Sequence, residues 1–80
     1  MIYVYILYSD VLGKYYVGST ENVQKRLSEH NSGKSNFTSK GIPWVFVVKI
    51  ECINRPEAVR LELKIKKRGI KRYLQGNNLV

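Results

Sequence analysis

The strongest constraint on the fold is an unbroken run of β-branched and aromatic residues near the N-terminus. Residues 2–8 contain no glycine or proline and are rich in the residue types that strands favour. They predict a buried strand. Turn-forming residues follow at 9–14, and residues 15–19 predict a second short strand. The chain is therefore expected to begin with a β-hairpin that has a fairly long loop.

A helix and a loop are predicted after the hairpin. Thr20 is expected to cap a helix that runs from about Asn22 to Asn31, because a hydroxyl side chain can accept a hydrogen bond from the first turn. Val23, Leu27 and His30 would share one face of it. Residues 32–43 are polar and carry two glycines and a proline. They predict a flexible loop.

The second half predicts one strand and two helices. Residues 44–51 are again β-branched and aromatic. Asn54 is expected to cap the next helix, with Pro56 in its first turn and Ala58, Leu61 and Ile65 on its apolar face. Gly69 would end that helix, and residues 70–75 predict a short last one.

The order of elements is therefore β-β-α-β-α-α, which predicts an α+β fold. We expect a three-stranded, mainly antiparallel sheet with helices packed on it, because the connections are too short for other arrangements. At 80 residues the chain is expected to form a single domain over residues 1–80. A domain of this size buries only about 60% of its unfolded surface.

The formal charge of +8 is concentrated in one segment. Between Arg55 and Arg72 there are eight Lys or Arg residues and two acids, a net charge of +6. This density favours an anionic polymer as partner, with nucleic acid first and an acidic membrane surface second. A solvated helix face is the alternative, since Lys and Arg are good helix formers.

The remaining composition bears on the cellular compartment. Cys52 is the single cysteine, so an intrachain disulfide is excluded and no Cys/His cluster suggests structural zinc. The longest apolar stretches have the length of strands, far below the roughly 20 residues of a membrane span. No signal-peptide pattern precedes them. We therefore expect a soluble, cytoplasmic protein with no membrane association.

Five side chains have the chemistry of a hydrolytic site. Tyr5 and Tyr16 lie on the first two predicted strands, Arg26 and His30 are one helical turn apart, and Glu62 lies in the basic segment. Two phenols, a fixed cation, an imidazole and a carboxylate could together hydrolyse a phosphodiester with one metal ion. Each taken alone has an ordinary structural explanation. The tyrosines could be core aromatics, and Glu62 could only pair with a neighbouring Lys or Arg.

The order and spacing of these residues resemble the GIY-YIG nuclease domain, in its small stand-alone branch. The resemblance is carried by four stretches: Tyr3-Val4-Tyr5-Ile6-Leu7, Tyr16-Val17-Gly18-Ser19-Thr20, residues 26–33, and Arg55-Pro56-Glu57-Ala58 leading to Glu62. It covers nearly the whole chain. The same domain type occurs in an excinuclease subunit of nucleotide excision repair and in some homing and restriction endonucleases. The resemblance implies a metal-dependent endonuclease acting on DNA, in repair or processing.

The resemblance also implies a role for each site residue. Glu62 would be the protein ligand of a divalent metal, Mg²⁺ or Mn²⁺, and Arg26 would hold a phosphate oxygen. Tyr5 would accept a proton from the attacking water, directly or with His30 relaying it onward, and Tyr16 would hold water and phosphate in line. Family members differ in which tyrosine is the base, and Tyr5 is the preferred one here. Where the excinuclease branch of the family has a lysine after the second triplet, this chain has Ser19. Lys34 or Lys40 could supply that charge instead.

The basicity of a phenol is an obstacle to this mechanism. With a pKa of about 10, only about one tyrosine in a thousand is ionised at pH 7. We expect Arg26, a metal-bound water and a neutral His30 to favour loss of the Tyr5 proton, which would lower that pKa. An alkaline rate optimum would follow.

Nucleic-acid contacts are expected from exposed cations: Lys34, Lys40, Arg60, Lys64, Lys66, Lys67 and Arg68. DNA is the expected partner, although RNA is not excluded by the sequence, and a protein partner could supply specificity. The oligomeric state is open. The main alternative is a catalytically idle nucleic-acid-binding module, and a more remote one is an adaptor that docks an acidic protein through residues 55–72.

Overall fold

The N-terminal strand lies at the centre of the sheet. In the computed structural model, which describes residues 1–34 and 38–77, β1 (Ile2–Ser9) pairs antiparallel with both β2 (Lys14–Thr20) and β3 (Trp44–Cys52). The strand order is β2-β1-β3. The predicted hairpin and third strand are confirmed, and the observed strands extend one residue further at one or both ends.

Helix α1 (Val23–Asn31) begins at Asn22, so the predicted cap at Thr20 is wrong. The Asn22 side chain accepts a hydrogen bond from the backbone N–H of Lys25 at 3.0 Å, which satisfies one of the free donors of the first turn. The Thr20 hydroxyl accepts from the backbone N–H of Asn22 at 3.2 Å instead. Thr20 therefore shapes the turn that leads into the helix.

Helices α2 (Arg55–Arg68) and α3 (Ile70–Gly76) follow β3 as expected. The Asn54 side chain caps α2 by accepting from the backbone N–H of Glu57 at 2.9 Å, and Pro56 lies in the first turn. Gly69 separates the two helices with a φ of 95°, a conformation in which other residues are strained. These predictions are confirmed, and the fold is the expected α+β arrangement.

The two faces of the sheet carry different layers, because successive residues of β1 point to opposite sides. Helices α2 and α3 cover one face, where the buried core consists of Ile2, Val4, Ile6, Val17, Cys52, Ala58, Ile65 and Leu74. Helix α1 lies on the other face with a second buried cluster of Tyr5, Leu7, Val23 and Trp44. The second cluster contains the tyrosine singled out by the sequence.

The connection between α1 and β3, predicted as a flexible loop over residues 32–43, has local structure from Thr38 onward. It contains a short 3₁₀ turn, Ser39–Gly41, and Thr38 before it is fully buried. The Ser9 hydroxyl donates to the carbonyl of Gly41 at 2.7 Å. Residues 35–37 of this loop lie outside the described part of the chain.

The end of α1 is joined to the start of β3 by a single side chain. The amide of Asn31 donates to the carbonyl of Trp44 at 3.0 Å and accepts from its backbone N–H at 2.6 Å. This pair of bonds imitates the pairing of a neighbouring strand. It fixes the helix relative to the sheet. Within residues 1–34 and 38–77, no helix is long and apolar enough to cross a membrane.

Candidate active site

The Tyr5 side chain is buried against the backbone of β2. Tyr5 is paired with Gly18 across the two strands, and only 1% of it is exposed. A Cβ atom added to Gly18 would lie 2.7 Å from the Tyr5 hydroxyl and 2.9 Å from Cζ of its ring. The missing side chain of Gly18 therefore makes the space that the Tyr5 phenol occupies.

Tyr16 lies on the same face of the sheet as Tyr5. It precedes Gly18 by two residues on β2, so its side chain points the same way. The centroid of its ring is 6.3 Å from that of Tyr5, 5.0 Å from that of His30 and 6.0 Å from that of Trp44. The hairpin register therefore brings the two tyrosines together on one face.

His30 connects the site to the loop after α1. Its Nε2 atom lies 3.0 Å from the Tyr5 hydroxyl and its Nδ1 atom 2.8 Å from the Thr38 hydroxyl. Only 1% of His30 is exposed. Sequence reasoning missed Thr38, since a threonine in a polar loop gives no signal that it will be buried.

Arg26 lies one turn before His30 on α1. Its guanidinium lies close enough to Tyr5 to lower the pKa of the phenol, and its Nη1 atom donates to Glu29 at 3.1 Å. The second contact was not anticipated. Arg26 is therefore beside the phenol, with part of its charge balanced by Glu29.

Glu62 on α2 completes the set of five. Its carboxylate is one of the charges that raise the pKa of Tyr5, which places it within electrostatic range of the phenol. Its side chain is 20% exposed and accepts from Nζ of Lys66 at 3.1 Å, one helical turn later. Lys66 also lines a groove with Tyr16 and Val17 of β2. The expected pairing of Glu62 with a neighbouring lysine thus exists alongside its proximity to the site.

The pKa of Tyr5 is raised to about 12, and the main cause is burial. The charges of Tyr16 and Glu62 act in the same direction, while Arg26 opposes them. Arg26 does lower the pKa of Tyr5, as expected, but the expected net lowering is wrong for the protein alone, because the desolvation of a phenolate outweighs one partly exposed cation.

The environment of His30 favours its neutral form. Burial and then the charge of Arg26 lower the pKa of the imidazole, and Glu29 only partly opposes them. A neutral imidazole has one N–H group and one nitrogen that can accept a proton. His30 can therefore receive a proton from Tyr5.

The described residues contain no group of three or more His, Cys, Asp or Glu side chains that could hold a metal ion. Glu62 is the carboxylate within electrostatic range of Tyr5. One carboxylate suits Mg²⁺, which prefers oxygen ligands and keeps several of its waters. It does not suit zinc, which is held by three or four protein ligands.

Those of the expected nucleic-acid-binding residues that belong to α2 lie on different sides of that helix. Arg60 and Lys64 line a groove with Cys52 at the end of β3. Lys66 lines the groove beside β2, at the opposite edge of the sheet. The remaining expected contacts are Lys34, Lys40, Lys67 and Arg68. These four residues and the three just named are all exposed.

The comparisons with known proteins agree with this geometry. The family model of the GIY-YIG catalytic domain matches residues 1–75, so the chain belongs to the GIY-YIG family, which is an endonuclease superfamily. Its fold is similar to the solution NMR structure of a UPF0213 protein from Bacillus halodurans. The two share 32% sequence identity with a TM-score of 0.59, over 99% of this chain and 85% of that one. Curated proteins give no match.

We expect the substitution Gly18→Ala to destabilise the protein by about 1–3 kcal/mol, because the added methyl group overlaps the phenol of Tyr5. Urea denaturation measures the effect. The matched control is Gly76→Ala, where the new methyl group would meet only the flexible end of Arg68. Equal stability of the two variants would contradict the close contact at Gly18.

We expect Tyr5 to make the folded state sensitive to alkaline pH. The folded protein holds the Tyr5 proton more tightly than the unfolded chain, so this contribution is complete below pH 10 and is lost as pH rises toward 12. The loss is on the order of 2–3 kcal/mol. Urea denaturation from pH 9 to 12 should therefore show a smaller decline for Tyr5→Phe than for the parent, and parallel curves would refute the raised pKa.

Proposed function

We propose that this protein is a divalent-metal-dependent endonuclease that hydrolyses phosphodiester bonds of DNA, in repair or processing. One observation carries the proposal: Tyr16, Arg26 and His30 surround the buried Tyr5 from two strands and one helix, with Glu62 within electrostatic range. Membership of the GIY-YIG family supports the same reaction class.

The proposed chemistry begins with Tyr5. Its phenol is neutral at pH 7, so it can act as a base only if it passes its own proton on as it takes one from water. Nε2 of His30, 3.0 Å from the hydroxyl, is placed to receive that proton. The water oxygen then forms a bond to phosphorus while the bond to the leaving oxygen breaks.

Two further groups act on the phosphate in this proposal. The Arg26 guanidinium binds a non-bridging oxygen and stabilises the negative charge that grows there. Stabilisation of such developing charge is usually the largest single contribution to catalysis. Tyr16, half-buried beside Tyr5, would hold the water and the phosphate in line.

Glu62 would hold the metal ion, with Mg²⁺ as the first candidate and Mn²⁺ as the second. A bound divalent cation would stabilise the charge on the phosphate and on the leaving oxygen. Glu62 is paired with Lys66, whose side chain is 54% exposed. Because exposed ion pairs contribute little, about 0–1 kcal/mol, the lysine can leave the carboxylate at small cost.

The exposed Lys and Arg residues would supply affinity without sequence preference, by displacing counterions from the phosphate backbone. Those on α2 lie on both sides of the helix, so they do not form one continuous basic surface along which a duplex could bind. We propose DNA as the substrate class, and a protein partner could add selectivity.

A catalytically idle nucleic-acid-binding module is the second candidate. The observation in its favour is the raised pKa of Tyr5, which disfavours a phenolate. The deciding experiment incubates the purified protein with labelled plasmid, flap, overhang and single-stranded DNA, and with RNA, in Mg²⁺, Mn²⁺ or EDTA. Metal-dependent cleavage of DNA supports the enzyme, whereas salt-sensitive binding without cleavage in any condition supports the module.

We expect Glu62→Gln to abolish Mg²⁺-dependent cleavage while leaving the fold and nucleic-acid binding nearly intact, because the change is close to isosteric and removes the proposed metal ligand. The assay is strand scission beside a binding titration. Glu57→Gln is the matched control, since Glu57 is an exposed acid in the first turn of the same helix. Undiminished cleavage by Glu62→Gln in EDTA would place the chemistry elsewhere.

We expect Tyr5→Phe to lose about two to four orders of magnitude in cleavage rate, as is typical when a general base is removed, with affinity kept. Tyr16→Phe should lose less. Tyr8→Phe is the control: Tyr8 packs against Tyr15 with ring centroids 4.8 Å apart, on the other face of the sheet. Wild-type rates for both Tyr5→Phe and Tyr16→Phe would refute the assignment.

A further inference from the structure

A buried chain of hydrogen bonds extends from Tyr5 beyond His30. The Tyr5 hydroxyl contacts Nε2 of His30 at 3.0 Å, and Nδ1 contacts the Thr38 hydroxyl at 2.8 Å. The Trp44 indole N–H then donates to the backbone carbonyl of Thr38 at 2.7 Å. All four residues are at most 5% exposed.

The direction of these bonds follows from what each group can donate. Tyr5 is a neutral phenol with one proton, and the neighbouring Arg26 guanidinium can only donate. The acceptor that lies at hydrogen-bond distance from the phenol is Nε2 of His30, at 3.0 Å, and accepting the proton requires that nitrogen to be unprotonated. A neutral imidazole has its single proton on the other nitrogen, so Nδ1–H of His30 donates to the Thr38 hydroxyl oxygen.

We propose that Thr38 is a positioning residue that fixes the Nδ1–H tautomer of His30 and so keeps Nε2 free to accept the proton of Tyr5. Its catalytic meaning rests on the proposed nuclease function. The tautomer itself does not, because it is a property of the folded protein.

The Thr38 hydroxyl suits both states of the relay. When His30 is neutral, the hydroxyl oxygen accepts from Nδ1–H. When His30 has taken the Tyr5 proton, Nδ1–H is still present and the same bond remains. Thr38 therefore does not have to reorient as the proton moves, which reduces the cost of reorganisation during the reaction.

The fold holds Thr38 through its backbone and through the 3₁₀ turn that follows. Its carbonyl accepts from the indole of Trp44 and from the backbone N–H of Gly41 at 3.1 Å. Ser9 of β1 donates to the carbonyl of Gly41. These bonds do not use the Thr38 hydroxyl, so its removal leaves the support of the loop in place.

The test is nitrogen-15 NMR of the protein labelled at histidine, because His30 is the single histidine of the chain. Long-range correlations between the ring protons and nitrogens distinguish the two tautomers. We expect the parent at pH 7.5 to show a protonated Nδ1 and an unprotonated Nε2. Thr38→Val, which keeps the shape and removes the hydroxyl, should populate the Nε2–H tautomer, and Thr38→Ser should restore the parent pattern.

Ser9→Ala is the matched control, because Ser9 is a buried hydroxyl that supports the same turn without touching the imidazole. It should keep the parent tautomer. A parent protein with Nε2–H as its main tautomer would overturn the proposal even if Thr38→Val failed to fold. An unchanged tautomer in folded Thr38→Val would overturn it as well.

Cleavage assays connect the tautomer to the reaction. Thr38→Val should be slower by about 10- to 100-fold with affinity kept, the range typical of residues that orient a functional side chain, and Thr38→Ser should recover most of the rate. If the parent cleaves no substrate, the nuclease proposal fails while the NMR result still decides the role of Thr38. If the parent cleaves and Thr38→Val matches it, the positioning role fails alone.

Discussion

The burial of the Tyr5 hydroxyl between the Gly18 backbone and the His30 imidazole is the contact on which the rest of the site depends. The phenol reaches this position because its partner across the strands has no side chain. Burial removes water from the hydroxyl, so its hydrogen-bond partner must be a protein group, and Nε2 of His30 lies 3.0 Å from it. The same burial raises the pKa of Tyr5, which makes the imidazole necessary to any reaction in which the phenol acts as a base.

The sheet separates stability from chemistry. On one face, α2 and α3 cover an apolar core that contains Ile65 and Leu74, and no polar group of the site lies in it. On the other face, α1 and the loop after it hold His30 and Thr38 against Tyr5. Alternate residues of β1 belong to the two layers. The packing of one set against α2 and α3 therefore also fixes the position of Tyr5 on the other face.

Both charged groups assigned to the reaction have a partner in the protein. Arg26 is paired with Glu29 and Glu62 with Lys66, each at 3.1 Å and each partly exposed. Such pairs are weak in water, so phosphate or a metal ion can replace the partner at little cost. In the free protein, each of these ion pairs neutralises a charge that would otherwise be unpaired near the buried Tyr5. The pairing lowers the free-energy cost of placing that charge away from water.

The sequence alone determined the elements and the residue types of the site. Periodicity, caps and breakers are local signals, so the three strands, the helix ends at Asn54 and Gly69, and the α+β class could be predicted from neighbouring residues. The cap at Asn22 was missed because Thr20 offers the same chemistry two residues earlier. Only the tertiary structure decided the register that sets Tyr5 over Gly18, the burial of Thr38 beneath His30, and the sign of the change in the pKa of Tyr5. These depend on contacts between residues far apart in the sequence, such as Tyr5 and His30 at 25 positions, and on the exclusion of water, which no local pattern encodes.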